Sequence, residues 1–250
     1  MSLLPEELFL NPVWHALMGP HRHLAIEDGV VCRYPTDIAP FAALAEPSGA
    51  ALEHLAALLP PSESVWIADA GELRVSVLEL EATLPCLQMV LPPDAPLAAP
   101  FTSALAESAV QPAPIVALGA AEAREMVALT DLAFPGFFRK STYRMGAYFG
   151  IRAADAQLIA MAGERLWLPG HPEMSGICTH PAYRGRGLAR RLIVHLAAIH
   201  RRQGLTSWLH VGAANSGAIA LYHALGFKTV RTLLLQRVSN RRQERKPLRA

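Results

Sequence analysis

Cysteine is scarce. The three in 250 residues (Cys32, Cys86 and Cys178) are far apart, odd in number and form no CxxC pair. That excludes a disulfide-stapled fold and fits a reducing compartment, so a cytoplasmic location is expected. Charge is also sparse, at 18% of residues with a net +2. The last ten residues, RRQERKPLRA, hold five basic residues and one Glu, and removing their +4 from the total leaves −2 for the remainder. A body with no positive excess lacks the electrostatic footprint of a nucleic-acid or anionic-membrane binder. No uninterrupted apolar run approaches the ~18 residues of a membrane helix. The N-terminal MSLLPEELFLNPVWHALMG has acidic residues and a proline where a signal peptide needs a basic start and an apolar run. The spacing of His15, His21 and His23 matches no familiar metal site, with no Cys or acidic partner clustered beside them, so no metal is expected. Neither GxxxxGK[ST] nor GxGxxG occurs, which sets aside the two familiar nucleotide-phosphate loops.

Apolar material, by contrast, is ample: hydrophobic residues make up 52% of the chain, enough for a sizeable core. The first hundred residues read as mixed helix and strand. NPVWHALMG opens a helix with Asn11 as N-cap and Pro12 at the first helical position. GVVCRYP and SVWIADA read as short strands with SGAALEHLAALL as a helix between them, followed by strand-like sequence through residue 91. Residues 92–114 are rich in Pro and Ala and make the best interdomain connection. Beyond them the pattern is clearer. IVALG is a strand, AAEAREMVALTDLAF a helix, and GAYFGIRAADAQLIAMAGERLWL a hairpin turning at AADA. EMSGICTH is a strand, and GLARRLIVHLAAIHRRQG is a helix whose Ala189, Leu192, Ile193, Leu196 and Ile199 form an apolar stripe. A strand at TSWLHVG, a helix at NSGAIALYHALG and a strand at FKTVRTLLLQRV complete the order.

The chemistry concentrates at HPAYRGRGLARRL, residues 180–192, where a strand runs through a short loop into a helix. Gly185 and Gly187 allow close backbone approach to a ligand, and the first-turn amides with the helix dipole make an anion site. Arg184 and Arg186 add forked donors suited to phosphate. Taken alone, the loop fits a phosphate ligand and a merely solvated turn equally well.

Its surroundings decide. Residues 173–227 resemble the GNAT superfamily of acyl-CoA N-acyltransferases. Arg184, Gly187 and Ala189 match its Q/R-x-x-G-x-G/A pyrophosphate loop, and Asn215, Ala218, Tyr222 and Leu225-Gly226-Phe227 match its N…A…LY…LGF signature at the usual distance. The likeness runs over about 114–238, and the stretch from Tyr148 to Pro181 is similar to a bacterial subgroup akin to the C-terminal domain of glycine N-acyltransferases.

The resemblance implies an α+β, mixed-sheet GNAT fold over residues 111–240 and a direct transfer from acetyl-CoA to a primary amine of a small molecule or peptide, without metal. Residues 1–110 would form a smaller α+β domain, a candidate degenerate copy of the same fold and a candidate wall of the acceptor site, and 241–250 a basic tail. Backbone amides of Arg186, Gly187, Leu188 and Ala189 would hold the coenzyme A pyrophosphate, with Gly185 allowing close approach and Arg184 shaping the loop. Ile177, Cys178 and Thr179 would pair with the pantetheine arm and present an amide to the thioester carbonyl. The strand at Trp208–Val211 would splay from its neighbour to admit the thioester. Tyr222 would return a proton to the departing thiolate, and Asn215 would bond the pantetheine, cap its helix, or both. Glu173, directly or through water, would take the amine proton, with Glu164 a weaker candidate and His210 lining the cleft. Arg190 and Arg191 lie past the loop, on a solvated face or beside the 3′-phosphate. The alternative is a non-catalytic acyl-CoA-binding regulatory module, against which the presence of Tyr222 and Glu173 weighs.

Overall fold

A computed structural model describes residues 5–60, 63–69, 71–73, 77–96 and 113–240. The first half supplies α1 (Glu6–Leu10), α2 (Pro12–Leu17), β1 (Ile26–Asp28), β2 (Val31–Arg33), β3 (Phe41–Leu44), α3 (Gly49–Leu58), β4 (Ser64–Asp69) and β5 (Leu78–Val90). The second supplies β6 (Ile115–Leu118), α4 (Ala123–Ala133), β7 (Tyr148–Arg152), β8 (Leu158–Leu168) and β9 (His171–Thr179). It continues with α5 (Leu188–Arg202), β10 (Trp208–Gly212), α6 (Ser216–Ala224) and β11 (Lys228–Asn240). The expected boundary near residue 110 and the basic tail at 241–250 lie outside the described residues.

Local chemistry explains several of these starts. Asn11 accepts from the Trp14 amide at 3.3 Å with Pro12 at the first helical position, so α2 begins where its cap and its fixed φ agree. Ser48 caps α3 through the Ala51 amide, and Asn215 caps α6 through the Ala218 amide. The stripe on α5 is buried at Leu192, Ile193 and Leu196, in one cluster with Ile159, Met174 and Leu209. Burial of each such side chain contributes about 1.5–3 kcal/mol. His200, one turn further on, is fully buried as well, and bonds Glu164 on β8 at 2.8 Å and Ser207 at 2.8 Å.

The described strands join one 11-stranded mixed sheet, in the order β1-β2-β3-β4-β11-β5-β10-β9-β8-β7-β6. Two parallel crossovers, β3–α3–β4 and β9–α5–β10, occupy corresponding places on either side of its centre. Between them the halves exchange their last strands: β5 of the first half pairs with β10, and β11 of the second pairs with β4. The two exchanged strands also pair with each other from Lys228↔Val90 to Asn240↔Leu78. Each half's crossover is therefore flanked by the other half's strand, and neither sheet is complete alone. Among the described residues, no helix is long and apolar enough to cross a membrane.

Candidate active site

The parallel neighbours β9 and β10 meet at one register pair, Trp208↔Glu173, although β10 remains paired with β5 along Trp208–Gly212. Past that pair a cavity of about 230 Å³ opens between Ser175–Ile177 on β9 and His210–Gly212 on β10. The splay expected at Trp208–Val211 is thus present as geometry. A bulge adds to it. Met161↔Cys178 and Gly163↔Ser175 are successive pairs, so β9 carries one more residue than β8 across this step. Gly176 takes the turn at φ +62, and such an extra residue interrupts the ladder and re-aims the backbone. Gly176 and Ile177 are released from regular pairing at the cavity wall.

At the end of β9, His180 accepts from the Ala182 amide at 3.2 Å and shapes a short 3-10 turn. Gly185 and Gly187 then adopt φ +77 and φ +71, with open space where a Cβ would stand. Their requirement is the left-handed backbone rather than room. Gly187 is the N-cap of α5 and has no side chain to accept from the first-turn amides. The Arg186 guanidinium lies over the Tyr183 ring at 4.9 Å. Arg191 turns away and donates to the Ala113 carbonyl at 2.8 Å, which ties α5 to the approach to β6. Cys178 is buried, and burial pushes its thiol up to about 12, which disfavours a reactive thiolate.

Tyr222 and Asn215 both line the cavity, brought there by α6. The Tyr222 ring packs on Phe227, and burial pushes its hydroxyl up to about 12. Above the usual phenol value, it remains a proton donor at neutral pH.

Glu173 is fully buried and saturated. Its Oε1 accepts from Arg165 Nη2 at 2.6 Å and His210 Nδ1 at 2.7 Å, and its Oε2 from Arg165 Nε at 2.9 Å and the Leu166 amide at 3.2 Å. Those four bonds occupy the lone-pair directions of a carboxylate. Burial alone would favour the neutral acid, but the charge and hydrogen bonds of Arg165, then of His210, outweigh it and hold the carboxyl at about 2. A carboxylate so engaged is a poor direct acceptor for an amine proton. Glu164 is no more available. Burial opposes its ionisation, yet hydrogen bonds from His200, the Ala147 amide and Trp167 keep its pKa below the usual value.

The group that sequence reasoning placed only on the cleft wall is His210. Its Nδ1 must donate to the Glu173 carboxylate, which leaves Nε2 as the basic nitrogen, 3.1 Å from Gln88 Nε2 on β5. Gln88 also donates to the Phe9 carbonyl at 3.0 Å, which fixes its amide orientation. The sequence signal for this arrangement was the alternation on β10, but Gln88 arrives through the strand exchange, which no local pattern announces. Elsewhere, His21 bonds the Tyr34 hydroxyl at 2.8 Å in the first-half core. Among the described residues, no group of three or more His, Cys, Asp or Glu is placed to hold a metal ion.

An opened parallel strand pair and a glycine loop feeding a bare helix start have the form that the GNAT resemblance implies, and the bulge on β9 adds to the opening. Residues 120–227 match the sequence profile of the Acetyltransferase (GNAT) family. The N-alpha-acetyltransferase RimI of Mycobacterium tuberculosis is 34% identical over 131 residues, which are 48% of this chain and 81% of that protein. The [ribosomal protein bS18]-alanine N-acetyltransferase of Salmonella typhimurium is 39% identical over 75 residues, 30% of this chain. This chain spans 50% of that relative's length. A crystal structure of a GNAT-family acetyltransferase from Novosphingobium aromaticivorans superposes with a TM-score of 0.80 at 35% identity, covering 93% of this chain and 98% of that one. The chain belongs to the GNAT acetyltransferase family.

Proposed function

We propose that this protein is an acyl-CoA-dependent N-acyltransferase that moves an acetyl group from acetyl-CoA directly to a primary amine of a small molecule or peptide. The observation that carries the reading is the cavity between β9 and β10, lined by the bulged Gly176–Ile177 segment and by Tyr222. The residues present fit the donor. Left-handed Gly185 and Gly187 and the uncapped start of α5 form a cradle for a pyrophosphate, with Arg184, Arg186, Leu188 and Ala189 in its wall. Ile177, Cys178 and Thr179 supply the strand edge for the pantetheine arm, with Asn215 across the cleft.

In this reading, a backbone amide at the bulge polarises the thioester carbonyl. Tyr222 donates a proton to the departing thiolate. The base is His210, which accepts the amine proton at Nε2 as it leaves its bond to Gln88. Glu173 acts through His210: it fixes the tautomer and stabilises the imidazolium, with Arg165 holding the carboxylate in place. Glu173 is accordingly a positioning residue rather than the proton acceptor.

The test has two stages. Acetyl-CoA at saturating concentration raises the melting temperature by linkage, and an amine panel with acetyl-CoA yields free thiol. No thermal shift with any of several acyl-CoAs refutes the donor assignment. A shift without thiol release across the panel favours an acyl-CoA-binding module instead.

A further inference from the structure

One buried hydroxyl, on a residue that lines the cavity, has no task in the fold. Tyr148 on β7 is 2% exposed, lines the cavity, and its Oη has no hydrogen-bond partner. Leaving a buried polar group unpaired is costly, and such groups in folded proteins call for a reason. The surroundings show that the ring is seated by design. Tyr148 pairs across the ladder with Gly163 on β8, where any Cβ would run into the ring carbons. A Cβ on Gly176 would also stand 3.2 Å from Cε1. Phe138 meets the ring edge-on at a centroid distance of 5.5 Å. Two side-chain-free positions and an aromatic wall thus hold a tyrosine where a phenylalanine would pack equally well.

We infer that the Tyr148 hydroxyl is the recognition donor of the acceptor site, and that the acceptor is an α-amino carbonyl compound with an apolar substituent. This inference rests on the acyltransferase reading above. The ring touches Gly176, which immediately precedes Ile177 at the proposed thioester carbonyl. An oxygen bound to Tyr148 and an amine attacking at Ile177 therefore belong to neighbouring atoms of one small molecule, or to the first residue of a peptide. A tyrosine hydroxyl facing a ligand oxygen donates its proton. Arg165 also lines the cavity, but its charge is matched by Glu173, so the wall offers a neutral donor that suits a carbonyl as well as a carboxylate. One part of the wall is apolar, formed by Leu84, Phe134, Phe137 and Phe138, and takes the substituent.

The experiment compares wild type and Tyr148→Phe with acetyl-CoA and three acceptors that share one side chain: phenylalanine, phenylalaninamide and phenethylamine. Taking each variant's kcat/KM relative to its own phenethylamine value cancels differences in cofactor handling. The inference predicts that Tyr148→Phe lowers this ratio about five- to tenfold for phenylalanine, phenylalaninamide or both. Which of the two falls distinguishes a carboxylate ligand from a peptide-like carbonyl. The melting temperature of the variant stays level or rises, because an unpaired hydroxyl has been removed. An unchanged ratio for both compounds overturns the inference. Thermal stabilisation by acetyl-CoA without thiol release from any of the three acceptors overturns the subsite alone. Absence of that stabilisation removes the acyltransferase reading and the subsite together.

Discussion

The two parallel crossovers share one connection and differ at the turn into the helix. In the first half, β3 leads through residues 45–48 to α3, whose opening amide at Ala51 is taken by the Ser48 hydroxyl at 3.2 Å. Glu46, exposed in that turn, would repel an anion. In the second half, the longer path through residues 180–187 passes two left-handed glycines and ends on an N-cap with no side chain. The strands differ as well. β3 and β4 stay paired at Phe41↔Trp66 and Ala42↔Ile67, whereas β9 and β10 meet at Trp208↔Glu173 and then part around a cavity. One crossover satisfies its own helix start and closes its strands, and the other leaves both open. The comparison separates what the fold requires, a parallel crossover with a buried helix face, from what a donor site requires, which is an unsatisfied helix start beside an opened strand pair.

The largest expected effect falls on the buried pair beneath the opened strands. Glu173→Gln leaves Arg165 without its counter-ion and should destabilise the protein by about 3–5 kcal/mol in denaturant titration. The pH dependence has a defined sign. The folded value of about 2 lies below the ordinary carboxylate value of 4.5, so this contribution is present above about pH 4.5 and is lost as the pH falls towards 2. A variant as stable as wild type would show that the pair is not what holds the split strands.

Next comes Gly187→Asp, which gives α5 a self-cap like that of α3 and tolerates the left-handed backbone better than most residues. Its acetyl-CoA Kd should rise about 100-fold by calorimetry, the sum of a competing cap and a repelled phosphate. Unaltered affinity would remove the helix start from the donor site. Tyr222→Phe should lower kcat roughly 10- to 100-fold at unchanged acetyl-CoA affinity, and an unchanged kcat would take away its role as acid. The smallest effect belongs to the closed crossover. Ser48→Ala should cost about 1 kcal/mol of stability and leave acetyl-CoA binding untouched. Weakened binding would mean that the first half takes part in the donor site after all.

Much of this was legible in the sequence because its causes are local. Caps at Asn11 and Asn215, the apolar stripe on α5 and the two loop glycines each act within a few residues. β1, β3 and α1 escaped because they are short. In β3, all of Phe41–Leu44 is buried, so no polar alternation marks it. The strand exchange was invisible for a different reason. The pairing of β5 with β10, like that of β11 with β4, is chosen by tertiary packing, and the same strands could pair within their own halves without any change in pattern. The candidate site inherits that gap. Glu173 is visible as an acidic residue near a strand start, but its saturation by Arg165, Leu166 and His210 depends on strands brought together in three dimensions. Tyr148 reads as one aromatic strand residue among several until its glycine cradle is seen.

The central claim is that one crossover, and not its counterpart, holds the acyl donor. Isothermal titration of the full chain with acetyl-CoA tests it most directly. The account predicts one site per chain, weakened about 100-fold by Gly187→Asp and unchanged in Ser48→Ala. Two sites per chain, or a single site unaffected by Gly187→Asp and weakened in Ser48→Ala, would contradict it.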